Sequence, residues 1–232
     1  MFIEQRTYTL KPGRLSRFWE LQSERGFQVV RPLMERLVGY FGRRADGFDQ
    51  VVHLWRFDDY DDWVARLHGL YAKPELQPYF TEVRSLMLRQ ENAILTPAPA
   101  SQLTPLIGNG SDWLPGGTAA FIPCLENGSL IAIETLQFRP GTLNAFWGRL
   151  SNEDAAEVAA GGLIGAFTTI IGELHKLVVY RPVKKSDELT PPVWEAVLRD
   201  CRDFIVGRDV SVYERAPLAE LSPLWARERF DG

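Results

Sequence analysis

Ile3-Glu4-Gln5-Arg6-Thr7-Tyr8-Thr9-Leu10-Lys11-Pro12-Gly13-Arg14-Leu15-Ser16-Arg17-Phe18-Trp19 returns later in the chain as Ile131-Ala132-Ile133-Glu134-Thr135-Leu136-Gln137-Phe138-Arg139-Pro140-Gly141-Thr142-Leu143-Asn144-Ala145-Phe146-Trp147. Both stretches read as a strand, a basic residue, Pro-Gly, then Leu-x-x-Phe-Trp. Three further blocks follow in the same order. Leu37-Val38-Gly39-Tyr40-Phe41 matches Leu163-Ile164-Gly165-Ala166-Phe167, and Val52-His53-Leu54-Trp55-Arg56 matches Leu177-Val178-Val179-Tyr180-Arg181. Asn92-Ala93-Ile94-Leu95 matches Val210-Ser211-Val212-Tyr213, each followed by Ala-Pro. Four ordered blocks mark a tandem duplication.

Within the first copy the periods are clear. Residues 2–10 alternate like a strand, and Leu15, Phe18 and Trp19 then recur at helical spacing after Pro12-Gly13. Residues 37–42 and 50–57 read as two strands joined by a polar turn. Asp58-Asp59 supplies a cap for a helix carrying Trp63, Val64 and Leu67, and a second run places Leu76, Tyr79, Phe80, Val83, Leu86 and Met87 on one face. Residues 91–96 form the last strand. The order β-α-β-β-α-β is the ferredoxin-like unit. The second copy repeats it with strands at 130–138, 163–170, 175–181 and 209–214, helices at 142–150 and 152–160, and a helix opened by Pro191-Pro192 with Thr190 as its cap. The expected organisation is a module over 1–100, a linker over 101–117, a second module over 118–217 and a tail over 218–232 that packs as a short helix. Thr118–Leu125, Asn127-Gly128 and Ser129–Leu136 read as a hairpin, giving the second module an extra N-terminal strand.

Composition narrows the function classes. The chain has 232 residues, 45% hydrophobic and 24% charged, with a net charge of −4 and scattered basic residues. That leaves no basic footprint for nucleic acid or for an anionic membrane. No stretch approaches the ~20 apolar residues of a membrane span, and the charged start lacks a signal peptide's apolar run. Cys124 and Cys201 lie far from any second cysteine or metal-spaced histidine. The expectation is a cytoplasmic protein with reduced thiols.

The stretches Glu4–Gly13, Gln50–Trp55 and Glu91–Leu95 resemble the three signature blocks of the NIPSNAP family. The first copy matches over nearly its whole length, the second only in pattern, having lost the Arg, the Tyr and the His-Leu-Trp. The resemblance implies the dimeric α+β barrel superfamily, in which two ferredoxin-like sheets pack face to face around a cavity. Relatives there include cofactor-independent monooxygenases, haem-degrading enzymes, muconolactone isomerases and polyketide cyclases. The fold expected is therefore α+β, with the sheets of the two modules meeting as an intrachain barrel. Linking the modules raises their effective concentration for each other and lets them diverge. A homodimer of the whole chain is a further expectation.

Alternation then nominates a site. Glu4, Arg6 and Tyr8 share one face of the first strand, and His53 and Trp55 share a face of the third. The expectation puts all five on the cavity face, with Val52 and Leu54 beneath the helices. Arg6 would hold an anionic oxygen, and His53 would act as acid or base, oriented by Glu4 or Tyr8. Glu134, Leu136, Val178 and Tyr180 would form the opposite, more apolar wall, with Glu134 meeting Arg6 or His53. Such a pocket suits an apolar or aromatic ligand with a polar head. A packing reading stands beside this one: Glu4 and Arg6 could pair only with each other, and Trp55 and Tyr8 could be core. His68 is set aside as a surface or edge residue, and His175, which begins a strand of the second copy, is a weak candidate.

No GxGxxG, GxxxxGK[ST], HExxH or GxSxG frame occurs. The acids 58–62 cap a helix and lack calcium-loop spacing. His53 is the residue suited to axial haem ligation, but nothing else calls for haem, so no cofactor is expected. Two functions remain: a cofactor-independent isomerase, cyclase or monooxygenase, or a non-catalytic ligand-binding or scaffold protein, with the enzyme favoured.

Overall fold

The computed structural model describes residues 1–105, 125, 126, 128–184 and 189–225. They fall into two compact units, one joining 1–92 to 125, 126 and 214–225, the other joining 93–105 to 128–213. The first unit contains β1 (Phe2–Leu10), α1 (Leu15–Arg25), α2 (Arg31–Met34), β2 (Leu37–Ala45), β3 (Phe48–Phe57), α3 (Tyr60–Tyr71) and α4 (Gln77–Leu86). The strand β4 (Met87–Pro97) passes from the first unit into the second. There it is followed by β5 (Leu130–Phe138), α5 (Leu143–Arg149), α6 (Asn152–Ala160), β6 (Gly165–Ile171), β7 (Lys176–Val183) and α7 (Pro192–Asp200). The last strand, β8 (Ile205–Arg215), passes back.

In the first unit β3 is the central partner, antiparallel to both β1 and β2. The tight turn at Asp46-Gly47, with Gly47 at φ 87°, sets the register of β2 against β3 so that Tyr40 faces His53. Across β1, Glu4 faces Trp55, Arg6 faces His53, and Tyr8 faces Val51. Helices α1, α3 and α4 cover this face, and Leu15, Phe18, Leu21, Leu67, Leu70, Val83 and Leu86 pack there against Tyr40, Val51, Trp55 and Phe57. Buried Asp49, at the start of β3, accepts the Leu15 amide at 2.7 Å and so caps α1 from the sheet. Asp59 caps α3 as expected, accepting the Asp62 amide at 2.8 Å.

The second unit repeats the layout, with β5 antiparallel to β7 and β8, and β6 antiparallel to β7. Its helix-side core holds Leu136, Phe138, Leu177 and Val179 against Phe146 and Trp194.

Several expectations change. The record is one of strand edges pairing, not of two sheets meeting face to face. Phe41 and Gly42 of β2 pair with Arg215 and Glu214 inside the first unit, and 94–97 of β4 pair with β6 inside the second. Both pairings use the C-terminal ends of β4 and β8, where backbone groups choose partners that side-chain polarity does not announce. Thr190 does not cap α7; its hydroxyl accepts from Arg208 at 3.1 Å, and the cap residue is Pro191. Among the described residues of the tail there is a 3-10 turn, Ala219–Leu221, with Leu221 buried. The extra strand expected over 118–125 lies, apart from Leu125, outside the described residues.

Candidate functional site

Glu4, Arg6, Tyr8, His53 and Trp55 do share one face, but it is the face beneath the helices. Glu4 accepts the indole N–H of Trp63, on α3, at 3.0 Å, and Tyr8 meets Phe18, on α1, edge-on at 6.2 Å. Val52 and Leu54 point the other way and are as deeply buried as Trp55. With both faces of the sheet buried, apolar alternation carries no sign of which side the helices take.

A cavity of about 100 Å³ lies on the helix side of the first unit. Arg6, Tyr8 and Trp55 reach it from β1 and β3, Tyr40 from β2, Arg25 from the end of α1, and Tyr79 from α4. Exposed Tyr71, Arg84 and Gln90 stand at its outer end, and aliphatic side chains such as Leu33, Met34 and Val83 complete the wall. Among the described residues no carboxylate lines it.

Glu4 stands directly behind this lining, fully buried. It accepts from Arg6 at 2.8 Å, Trp63 at 3.0 Å and Asn92 Nδ2 at 3.0 Å. Three donors fix this carboxylate in place. Burial works against the Arg6 charge, but the hydrogen bond and Coulombic pull of Glu4 outweigh it and raise its pKa. Arg6 Nη2 serves Glu4, while its Nε is buried without a partner. Arg25 donates to the Gly26 carbonyl and the Tyr79 hydroxyl, and its Nη2 is likewise buried and unpartnered. Burial raises the pKa values of Tyr8, Tyr40 and Tyr79, so all three phenols stay protonated at neutral pH. Guanidiniums and phenol O–H groups dominate the polar lining. Such a lining favours an anion.

His53 does not line the cavity. It is 1% exposed, stacked on Tyr40 with centroids 4.2 Å apart at 4° and met edge-on by Tyr8 at 4.7 Å. Its Nδ1 accepts the Trp55 indole N–H at 2.6 Å, which assigns the proton of the neutral ring to Nε2, an atom without a partner. Burial, then the Arg6 charge, hold its pKa well below the ordinary 6.5. It is a neutral spacer fixing Tyr8, Tyr40 and Trp55, poorly suited to exchange protons near neutral pH.

The four residues expected from the second copy split between two faces. Glu134 pairs with Val179 and Leu136 with Leu177 on the helix side, while Val178 pairs with Thr135 and Tyr180 with Ile133 on the other. The sequence alignment of the third strands was one residue out of step, and in a strand one residue reverses the face. By register Val179 stands where His53 does, and Arg181 where Trp55 does. Glu134 accepts from Arg181, from Trp194 Nε1 at 2.9 Å and from Arg208 Nε at 2.7 Å. Each unit thus ties a buried acid on its first strand to a tryptophan on a helix, Trp63 or Trp194.

Sequence reasoning missed Arg25, Tyr40, Tyr71 and Tyr79 as cavity residues. The Asp46-Gly47 turn contained the signal for Tyr40, because reading outward from it pairs Tyr40 with His53. Among the described residues no group of acids, histidines and cysteines is placed to hold a metal.

The NIPSNAP family model matches residues 3–102, the span that contains the cavity. The chain belongs to the NIPSNAP family. A NIPSNAP-like domain protein from Burkholderia xenovorans is 35% identical over 42% of this chain and 85% of its own, with a TM-score of 0.39. A NIPSNAP family protein of unknown function from Agrobacterium tumefaciens is 33% identical over 42% of this chain and 88% of its own, with a TM-score of 0.39. Both likenesses cover less than half of this NIPSNAP chain. A candidate monooxygenase from Fusobacterium nucleatum matches 93% of this chain and 92% of its own at a TM-score of 0.60, with 10% identity. That likeness carries the fold alone, a mixed α+β architecture of the dimeric α+β barrel kind. No curated protein matches the chain.

Proposed function

We propose that the first unit binds a small anionic molecule with an apolar body between its sheet and its helices, and that Arg6 holds the anion. The observation that carries this reading is the unpartnered Nε of buried Arg6 in a cavity with no carboxylate on its walls. A buried donor left unpaired costs about 1–3 kcal/mol, which a carboxylate, enolate or phenolate oxygen would recover. An engineered apolar cavity of about 150 Å³ accepts benzene, so about 100 Å³ with an open outer end suits a single ring or a short acyl group.

The catalytic form of the reading is an isomerase, cyclase or cofactor-independent monooxygenase in which Arg6 and the phenols stabilise an enolate. The fold shared with a candidate monooxygenase over 93% of the chain supports it. The non-catalytic form is a ligand-binding or scaffold protein using the same pocket. We place the ligand inside the first module (1–100 in our delimitation), leave the second (118–217) as its diverged partner, and expect no cofactor, a cytoplasmic setting and self-association of the chain.

Calorimetric titration with benzoate tests the binding claim. Arg6→Met should weaken binding roughly tenfold to a hundredfold, the range expected when a hydrogen bond to a charged group is lost. Because Arg6→Met also removes a partner of Glu4, Arg25→Met is the companion variant. It leaves the Glu4 cluster intact and should weaken benzoate without lowering Tm. Wild-type affinity retained in both variants would refute the reading.

A further inference from the structure

Beside the Arg6 cavity lies a wider cleft of about 400 Å³ between α2 and α3, aliphatic along its inner wall and bordered by Glu35, Asp62, Arg66 and Lys73. Val30, Leu33 and Leu70 line both spaces, so a single layer of aliphatic side chains divides them. The partition carries no charge and no side-chain hydrogen bond. Polar ties flank it: Lys73 Nζ donates to the Val29 carbonyl at 2.6 Å, and Arg66 donates to the Pro32 carbonyl and pairs with Glu35 at 3.3 Å.

Gly69 gives the second observation. It lies in the last turn of α3, on the wall of the cleft, with an ordinary helical backbone. A Cβ built there meets nothing within 4 Å. Neither packing nor backbone geometry requires a glycine, and alanine would favour the helix. Gly69 is exposed, so the space a side chain would take there lies at the solvent mouth of the cleft.

We propose that the ligand is an amphiphilic carboxylate, with its head on Arg6 and an unbranched acyl tail that displaces the Val30–Leu33–Leu70 partition and lies in the Gly69 cleft. This rests on the anion-site reading and adds the chemical class of the ligand. The aliphatic wall shared by the two spaces fits a tail, and the carboxylate-free cavity fits the head.

The test is a calorimetric series of butanoate, hexanoate, octanoate and decanoate on the full chain and on Gly69→Phe. Beyond the length the inner cavity holds, wild-type affinity should rise roughly fourfold per methylene, the increment for burying one CH₂. Gly69→Phe should keep its Tm and bind butanoate like wild type, but gain nothing from longer tails. Ala65→Trp, which fills the cleft from an exposed position of α3, should behave the same way. Level wild-type affinity from butanoate to decanoate overturns the tail site and leaves the Arg6 reading standing. So does an undiminished chain-length gain in both variants. Failure of every acid, butanoate included, overturns both.

Discussion

The cavity of the first unit is assembled from side chains that each have a second duty. Arg6 supports Glu4 with one nitrogen and offers another to the cavity; Trp55 fills the core and fixes the tautomer of His53. His53 has a measurable signature. Its folded pKa lies well below 6.5 because burial and Arg6 oppose its charge. The unfolded chain therefore takes up a proton below about pH 6.5 that the native protein refuses. Stability is full above that pH and is lost as pH falls from about 6.5 toward the folded pKa, at up to about 1.4 kcal/mol per pH unit. Urea denaturation between pH 7.5 and 5 should show this decline, and His53→Gln should flatten it by one proton. An equal slope in the variant would show that the imidazole is charged in the native state. Alternation brought Glu4, Arg6, Tyr8, His53 and Trp55 together from sequence. It could not say that they look toward the helices, because Val52 and Leu54 on the other face are just as apolar and just as buried.

At the scale of elements, the duplication is visible as one device built twice. A buried acid on the first strand takes the indole N–H of a tryptophan on the helix above it, Glu4 with Trp63 and Glu134 with Trp194. The two acids sit at adjacent same-face positions of their strands, since by alignment Arg6, not Glu4, corresponds to Glu134. No position-by-position comparison of the copies could therefore reveal the shared tie. Trp63→Phe and Trp194→Phe should each lower unfolding free energy by about 1–3 kcal/mol, the effect of leaving a buried acceptor short of one donor. Trp194, 1% exposed, should show the larger loss, because packing goes with the hydrogen bond. Denaturant midpoints read this directly, and no change in either variant would reduce the ties to incidental contacts. The strands themselves were legible from period-two patterning, and their ends were not. Met87–Asn92 and Ile205–Asp209 are mostly exposed and polar, so the first halves of β4 and β8 have no apolar alternation to announce them.

At the scale of the whole molecule, divergence after duplication has given the two sheet–helix layers different contents. In the first, Arg6, Tyr8 and Trp55 border open space; in the second, Glu134 and Leu136 stand at the positions of Arg6 and Tyr8, and Glu134 is consumed by Arg181, Arg208 and Trp194. Ligand binding is proposed for the first unit, with the second as its diverged partner. The repeat, the family and the α+β class could be read from the chain. The edge pairing could not, because it is set by backbone partners and not by side-chain polarity. A crystal structure of the full chain with benzoate tests the assignment most directly. The account predicts density for the ring between the sheet and α4 of the first unit, with the carboxylate against Arg6. A carboxylate bound at Arg181 or Arg208 of the second unit, with the Arg6 cavity holding only water, would contradict it.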